Sequence, residues 1–307
     1  MTASSSVHAL VFSDPFPLSA TNLGSAFGLL PLALQFAFTI ALGLVIGSFL
    51  NVVAHRLPVM LERAWRAEIS DATGEAPTDD GLPERYNLCV PRSACPHCAH
   101  VLSAWENIPL LSYCLLRGRC SECKAPIGLR YPLMEMASAG FAVLALLVFG
   151  PSGTAIAAFG LCAALLAMSA VDIDTRLLPD SLTLPLLWAG LIVNLAHTFA
   201  SLRAAVVGAI AGYVFLWCLY WIFRFVRGIE GMGYGDFKLL AALGAWLGWA
   251  ALPQIVLIAA VTGAVAGLAA TWSGRMRFEE PLPFGPFLAI GGATTLFLGT
   301  PLFHLGG

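Results

Sequence analysis

Long apolar runs separated by short polar breaks dominate the chain. Runs at 32–53, 133–149, 154–171, 184–199 and 204–223 each approach the length of a bilayer-crossing helix, for which about 20 residues suffice. A further run, 237–272, is too long for one span and is expected to break near Leu252-Pro253-Gln254 into two rather short helices. A last run covers 284–303. The pattern predicts an all-α polytopic membrane protein with about eight transmembrane helices. Composition agrees. Apolar residues make up 58% of the chain, charged residues 11%, and mean hydropathy is +0.81, whereas a soluble domain carries about 25% charged residues. The net charge of −2 says little about partners. The first residues, MTASSSVHALVFSDPFPLSATN, lack a basic stretch and are not read as a cleaved secretory signal.

One long polar loop, 55–131, interrupts the apolar pattern. It divides the chain into an N-terminal segment 1–31 on the outer side, a first transmembrane helix 32–54, the loop domain 55–131 and a second membrane domain 132–305. Basic residues accumulate in cytoplasmic loops. With 55–131 inside, Arg203 alone of the sixteen Lys and Arg residues falls outside, which supports both the span count and outer termini. Within the loop, LPVMLERAWRAE suggests a short amphipathic interfacial helix around Met60, Leu61 and Trp65. The acidic, Gly- and Pro-containing stretch 68–85 reads as a solvated flexible connector.

Four of the eight cysteines are regularly spaced, as Cys95-x2-Cys98 and Cys120-x2-Cys123. Two such turns can complete a tetrahedral four-thiolate site, and thiolates suit zinc. Two disulfides or a redox pair are the alternatives. A cytoplasmic loop keeps thiols reduced, and no βαβ context surrounds either pair. A site closed by four sulfurs has no open position, so this zinc is expected to staple the loop. Cys89 and Cys114 read as buried or free, and Cys162 and Cys218 as small core residues.

Acidic groups within spans are costly and functional by default. The candidates are Glu135, the VDIDTRLLPD cluster with Asp172, Asp174 and Asp180, Glu230 with Asp236, and Glu279 with Glu280. Sidedness puts all of them on the cytoplasmic face. Asp172 ends the third span and Asp236 opens the sixth. Two carboxylates at one depth on different helices suit an aspartyl hydrolase, in which they share a proton and activate water. The competing reading is helix capping, for which Asp180 looks well placed. Gly231, Gly233 and Gly235 would allow positive φ and close approach of a peptide. The chain has no H-E-x-x-H, G-x-S-x-G, P-loop or G-x-G-x-x-G motif. A transporter with proton-relaying aspartates and a zinc-stapled module is the reading from another class.

Taken together, GSFLNVVAHRLP (47–58), the paired cysteines around ENIPLLSY (106–113), RYPLMEM (130–136), VDIDTRLLPDSLTLPLLWAGLIVN (171–194), EGMGYGDFKLLAALGAW (230–246) and PFGPFLAI (283–290) carry a resemblance. The chain resembles the bacterial type IV prepilin peptidases, GxGD aspartyl proteases of pilus and type II secretion systems that also act as N-methyltransferases. The resemblance implies that basic leaders are cut from prepilins and pseudopilins at a glycine preceding a phenylalanine. The new N-terminus is then methylated from S-adenosylmethionine. It implies catalytic roles for Asp172 and Asp236, and zinc on Cys95, Cys98, Cys120 and Cys123. It also implies a bacterial inner-membrane location, with the site facing the cytoplasm and segment 1–31 in the periplasm. Membrane lipids are expected partners and nucleic acid is not. The donor's ligands are not legible, although the loop and 47–58 are expected to contribute. Glu135 reads as a donor contact or a structural residue, and Lys238 as a headgroup anchor or a modulator of the aspartates.

Overall fold

In lipid, a backbone with no water to bond must satisfy itself, and the apolar runs do so as helices. The computed structural model describes residues 27–74, 81–83, 85–228, 233–274 and 282–299. Among these the chain forms α1 (Leu32–Thr73), a short α2 (Leu111–Leu115), α3 (Arg130–Phe149), α4 (Gly153–Thr175), α5 (Asp180–Val193), α6 (Leu202–Arg227), α7 (Tyr234–Leu247), α8 (Leu252–Trp272) and α9 (Gly285–Leu298). The only β pairing among them is two isolated bridges, Ala94 with Val101 and Arg119 with Pro126. A helix stands at each of the eight expected places, so the all-α membrane architecture holds. Length alone does not carry the count of eight spans. Five helices, α1, α3, α4, α6 and α8, are long and apolar enough to cross a membrane, while α5 and α9 are shorter. The 14 residues of α7 reach about 21 Å.

Three local expectations are corrected. The short interfacial helix is instead the continuation of α1, which runs 42 residues, or about 63 Å. Pro58 lies inside it, where one missing N–H removes one hydrogen bond without ending the helix. The helix passes 54/55 without a break and takes in 68–73 of the acidic stretch. It stops at Gly74, whose φ of 72° and N–H bond to the Ser70 carbonyl form a left-handed cap. Residues 75–80 and Glu84 of that stretch lie outside the described residues. The break in the long apolar run comes at Gly248 and a 3-10 turn, Trp249–Ala251. Pro253 sits in the first turn of α8, where its missing N–H is not needed. Asp180 does not cap α5. Pro179 holds the cap position without a side-chain bond.

Two helices are central. α4 packs against α1, α3 and α9, and α7 against α5, α6 and α9. Small residues let backbones approach, as membrane helix pairs require. A Cβ on Gly244 would meet the Gly208 carbonyl oxygen at 2.2 Å, and one on Gly47 would meet the Glu135 Cα at 2.7 Å. Polar ties add direction. Ser138 donates to the Gly43 carbonyl at 2.7 Å, and Asn194 donates to the Ala245 and Trp246 carbonyls at 2.8 Å each. Cys162 is buried as expected, but Cys218 is exposed on the outer helix α6.

Candidate active site and four-cysteine centre

The polar segment between α1 and α3 is held by two similar turns. Ala99 donates to the Cys95 carbonyl at 2.9 Å, and Lys124 to the Cys120 carbonyl at 3.2 Å. Ala99 and Lys124, each one residue past its C-x2-C, take left-handed φ of 57° and 59°. The turns face each other, and the Sγ atoms of Cys95, Cys98, Cys120 and Cys123 lie within 4.8 Å of one another. Zn–S bonds of 2.3 Å place tetrahedral sulfurs about 3.8 Å apart. The Cys95–Cys123 and Cys98–Cys120 separations are 3.8 and 3.9 Å. Backbone N–H groups of Cys98 and His97 draw the Cys95 pKa down to about 7, and those of Cys123 and Glu122 lower Cys120, whereas burial and the neighbouring sulfurs push Cys98 up to about 11. The cluster therefore fits one soft, tetrahedral cation. His97 is not part of it, and His100 instead faces the Glu106 carboxylate at 3.3 Å. Cys89 and Cys114 are free and exposed.

The two aspartates sit at helix ends on the two central helices. Asp172 lies in the last turn of α4, where its carbonyl accepts the N–H of the C-cap residue Arg176. Asp236 lies in the first turn of α7. Both are buried, 4% and 7% exposed. The Gly285 N–H, at the start of α9, donates to Asp172 Oδ2 at 2.9 Å. Asp236 Oδ1 is buried with no hydrogen-bond partner among the described residues. Leu178 links the two sides. A Cβ on Gly235 would meet Leu178 Cβ at 2.6 Å, and one on Gly285 would meet Asp172 Oδ2 at 2.7 Å and Leu178 Cδ1 at 3.2 Å.

The glycines of the GxGD motif thus act differently from expectation. Gly233 has φ −80° and Gly235 is not among the positive-φ residues. The space Gly235 leaves is taken by Leu178, so it serves internal packing. Among the described residues, the side-chain atom nearest a Cβ on Gly233 would be Asp236 Oδ2, at 3.9 Å. Gly231, Glu230, Glu279 and Glu280 lie outside the described residues.

The remaining acids hold neighbours. Asp174 pairs with Arg130 of α3, which also reaches the Ala170 carbonyl at 3.3 Å. Asp180 pairs with Lys238 at 2.5 Å. Glu135 accepts the Leu110 N–H at 2.8 Å. Gly285, Leu178 and Arg130 were not singled out from sequence. The Gly-Pro start of α9 was the available signal for Gly285, because proline favours the first helical turn.

Fold and site define a polytopic membrane protein with two buried aspartates and a four-cysteine cluster in the polar segment, residues 85–129, which forms a cap. Comparison with known proteins places it further. The profile of the "Bacterial Peptidase A24 N-terminal domain" matches residues 41–149, and that of the "Type IV leader peptidase family" matches 159–268. A prepilin leader peptidase/N-methyltransferase of Burkholderia pseudomallei is 69% identical over 304 residues, covering 99% of this chain and 98% of the relative. Proteins of that same name from Aeromonas hydrophila and Pseudomonas aeruginosa are each 52% identical, over 87% and 85% of this chain and 91% and 89% of their own lengths. No solved structure matches. The chain belongs to the type IV leader peptidase family.

Proposed function

We propose that this protein is a bifunctional prepilin leader peptidase and N-methyltransferase of the bacterial inner membrane, with Asp172 and Asp236 as its peptidase pair. The observation that carries the peptidase assignment is the burial of both carboxylates at the ends of the two central helices. Family membership favours this over a proton-coupled transporter. Two close carboxyl groups ionise as a unit and share a proton. The ionised member takes a proton from water as the water oxygen bonds the scissile carbonyl carbon. The protonated member hydrogen-bonds the carbonyl oxygen. Collapse breaks the C–N bond, and the leaving amine takes a proton from the pair. The Gly285 N–H fixes Asp172 during these transfers, and the unpartnered Asp236 Oδ1 is left to act on water.

The substrate follows from the depth of the site. Prepilins and pseudopilins are apolar helices with a basic leader on the cytoplasmic side, and the distribution of Lys and Arg in this chain supports a site facing that side. In this reading Cys95, Cys98, Cys120 and Cys123 hold a structural zinc, which supplies a cross-link and no open coordination position. When bound, S-adenosylmethionine supplies an electrophilic methyl group to the amine freed by cleavage.

Asp172→Asn and Asp236→Asn should each abolish leader removal while the protein remains in the membrane and still methylates a substrate already trimmed. Processing by either variant at the wild-type rate would reject the pair.

A further inference from the structure

A cavity of about 460 Å³ lies between the polar halves of α1 and α3 and the four-cysteine cap. Asp172 and Asp236 do not line it. Its size falls within the roughly 300–1,000 Å³ of small-molecule and cofactor sites. We propose that this cavity is the methyl-donor site, and that Arg56 and Glu135 on its opposite helices recognise the donor as a zwitterionic nucleoside. The inference rests on the methyltransferase reading above.

Three features of the lining match that ligand. Arg56 of α1 is 8% exposed and donates to the Asn87 and Pro91 carbonyls at 2.9 and 2.6 Å. No carboxylate among the described residues pairs with it. A buried cation whose hydrogen bonds go to neutral carbonyls, and which also faces the Tyr86 ring at 5.6 Å, favours an anionic group nearby, which the donor's α-carboxylate provides. Glu135 of α3, also 8% exposed, uses Oε2 for the Leu110 N–H. Glu135 lines the same cavity from the other wall. A carboxylate there suits ribose hydroxyls, as in dinucleotide sites, and it offsets a sulfonium charge. Tyr86, Tyr113 and Tyr131 also line the space; Tyr86 already faces the Arg56 and Arg63 guanidinium groups, and the faces of Tyr113 and Tyr131 can stack an adenine and attract a cation.

The position suits a sequential enzyme. Tyr131 lines the cavity. Its neighbour Arg130 reaches across to Ala170 and Asp174, the residues that bracket Asp172 on α4. One helix start therefore touches both sites. A freed N-terminus would pass from the carboxylates to the donor around the beginning of α3, without leaving the protein.

The test is binding of S-adenosylhomocysteine to the purified full chain by calorimetry, together with ultraviolet cross-linking of radiolabelled S-adenosylmethionine. Loss of a charge-assisted contact is worth about tenfold or more in affinity. Glu135→Gln, which keeps an acceptor for the Leu110 N–H, should weaken binding by at least about that factor, with metal content and unfolding temperature unchanged. Label on the wild-type protein should map to peptides containing Tyr86, Tyr113 or Tyr131, a measurement that needs no variant. If the wild type binds the donor but the label maps elsewhere and Glu135→Gln binds equally well, the cavity assignment falls and the methyltransferase reading stands. A wild type that neither binds the donor nor methylates would remove both.

Discussion

The helical body and the cysteine cap are built on opposite principles. In α7 every residue from Leu239 to Trp246 is buried. From 85 to 129 in the cap, only Glu106 and Cys120 are. The body is stabilised by close packing of apolar and small side chains over two central helices. The cap has too little apolar burial to fold on that basis. It depends on two backbone turns, a sulfur cluster and hydrogen bonds such as those of Ser103 to Glu106. The Ser103 N–H and hydroxyl contact that carboxylate at 2.7 and 2.5 Å and hold its pKa near 2. The chemistry divides along the same line, with the aspartates in the body and the proposed donor cavity under the cap. Each region should therefore fail by its own route.

The largest effect should follow loss of the proposed zinc site. Structural zinc sites contribute apparent free energies of about 10–16 kcal/mol, more than a region with so little core can replace. The double variant Cys95→Ser, Cys120→Ser should drop zinc from about one per chain to none. Limited proteolysis should then cut within 85–129, and N-methylation should be lost. Helical circular dichroism and membrane insertion should persist, because α4 and α7 are held by helix–helix packing within the body. A cap that resists protease and keeps wild-type metal content would break the contrast at its root.

A smaller effect should come from crowding the body at its site. Gly285→Val places a side chain where a Cβ alone would stand 2.7 Å from Asp172 Oδ2. Displacing a catalytic group by about 1 Å costs on the order of a hundredfold, so leader removal should fall by about that much. Methylation of a pre-trimmed substrate should stay near wild type. Both activities can be read from one preparation by mass spectrometry of the pilin N-terminus. A parallel fall in both would mean that the two regions work as one unit.

The body was easier to read from sequence than the contacts inside it. Runs such as 154–171 and 204–223 give α4 and α6 almost directly, because lipid leaves an apolar backbone few alternatives. Cys95, Cys98, Cys120 and Cys123 were legible because metal geometry demands a short repeat. The continuation of α1 through Pro58 was not, because the isolated residues 57–68 look like a separate amphipathic piece. Arg56 and Arg63 on this stretch of helix reach carbonyls of 82–91, contacts between distant segments that sequence does not display. Leu178 in the space of Gly235 was equally hidden. A glycine in sequence marks missing bulk, but only the fold shows what fills it.

The smallest effect should be at Lys238, and it decides what that residue is for. On a helix, positions two apart do not share a face, so Lys238 points away from Asp236. Its partner is Asp180 of α5, at 2.5 Å. The pair straps α5 to α7 near the site. Its side chains are 26% and 58% exposed, and exposed ion pairs contribute about 1 kcal/mol or less. Asp180→Asn and Lys238→Met should therefore each lower stability by no more than about that amount and slow leader removal by less than about tenfold. The exchange Asp180→Lys with Lys238→Asp should recover part of the loss. The decisive comparison is between the two single variants. Cutting a strap at either end should leave cleavage within about tenfold of wild type. If Lys238→Met stopped cleavage as Asp236→Asn should, while Asp180→Asn did not, Lys238 would be acting on the carboxylate pair through its charge, and the site would extend beyond the residues that pack around Leu178.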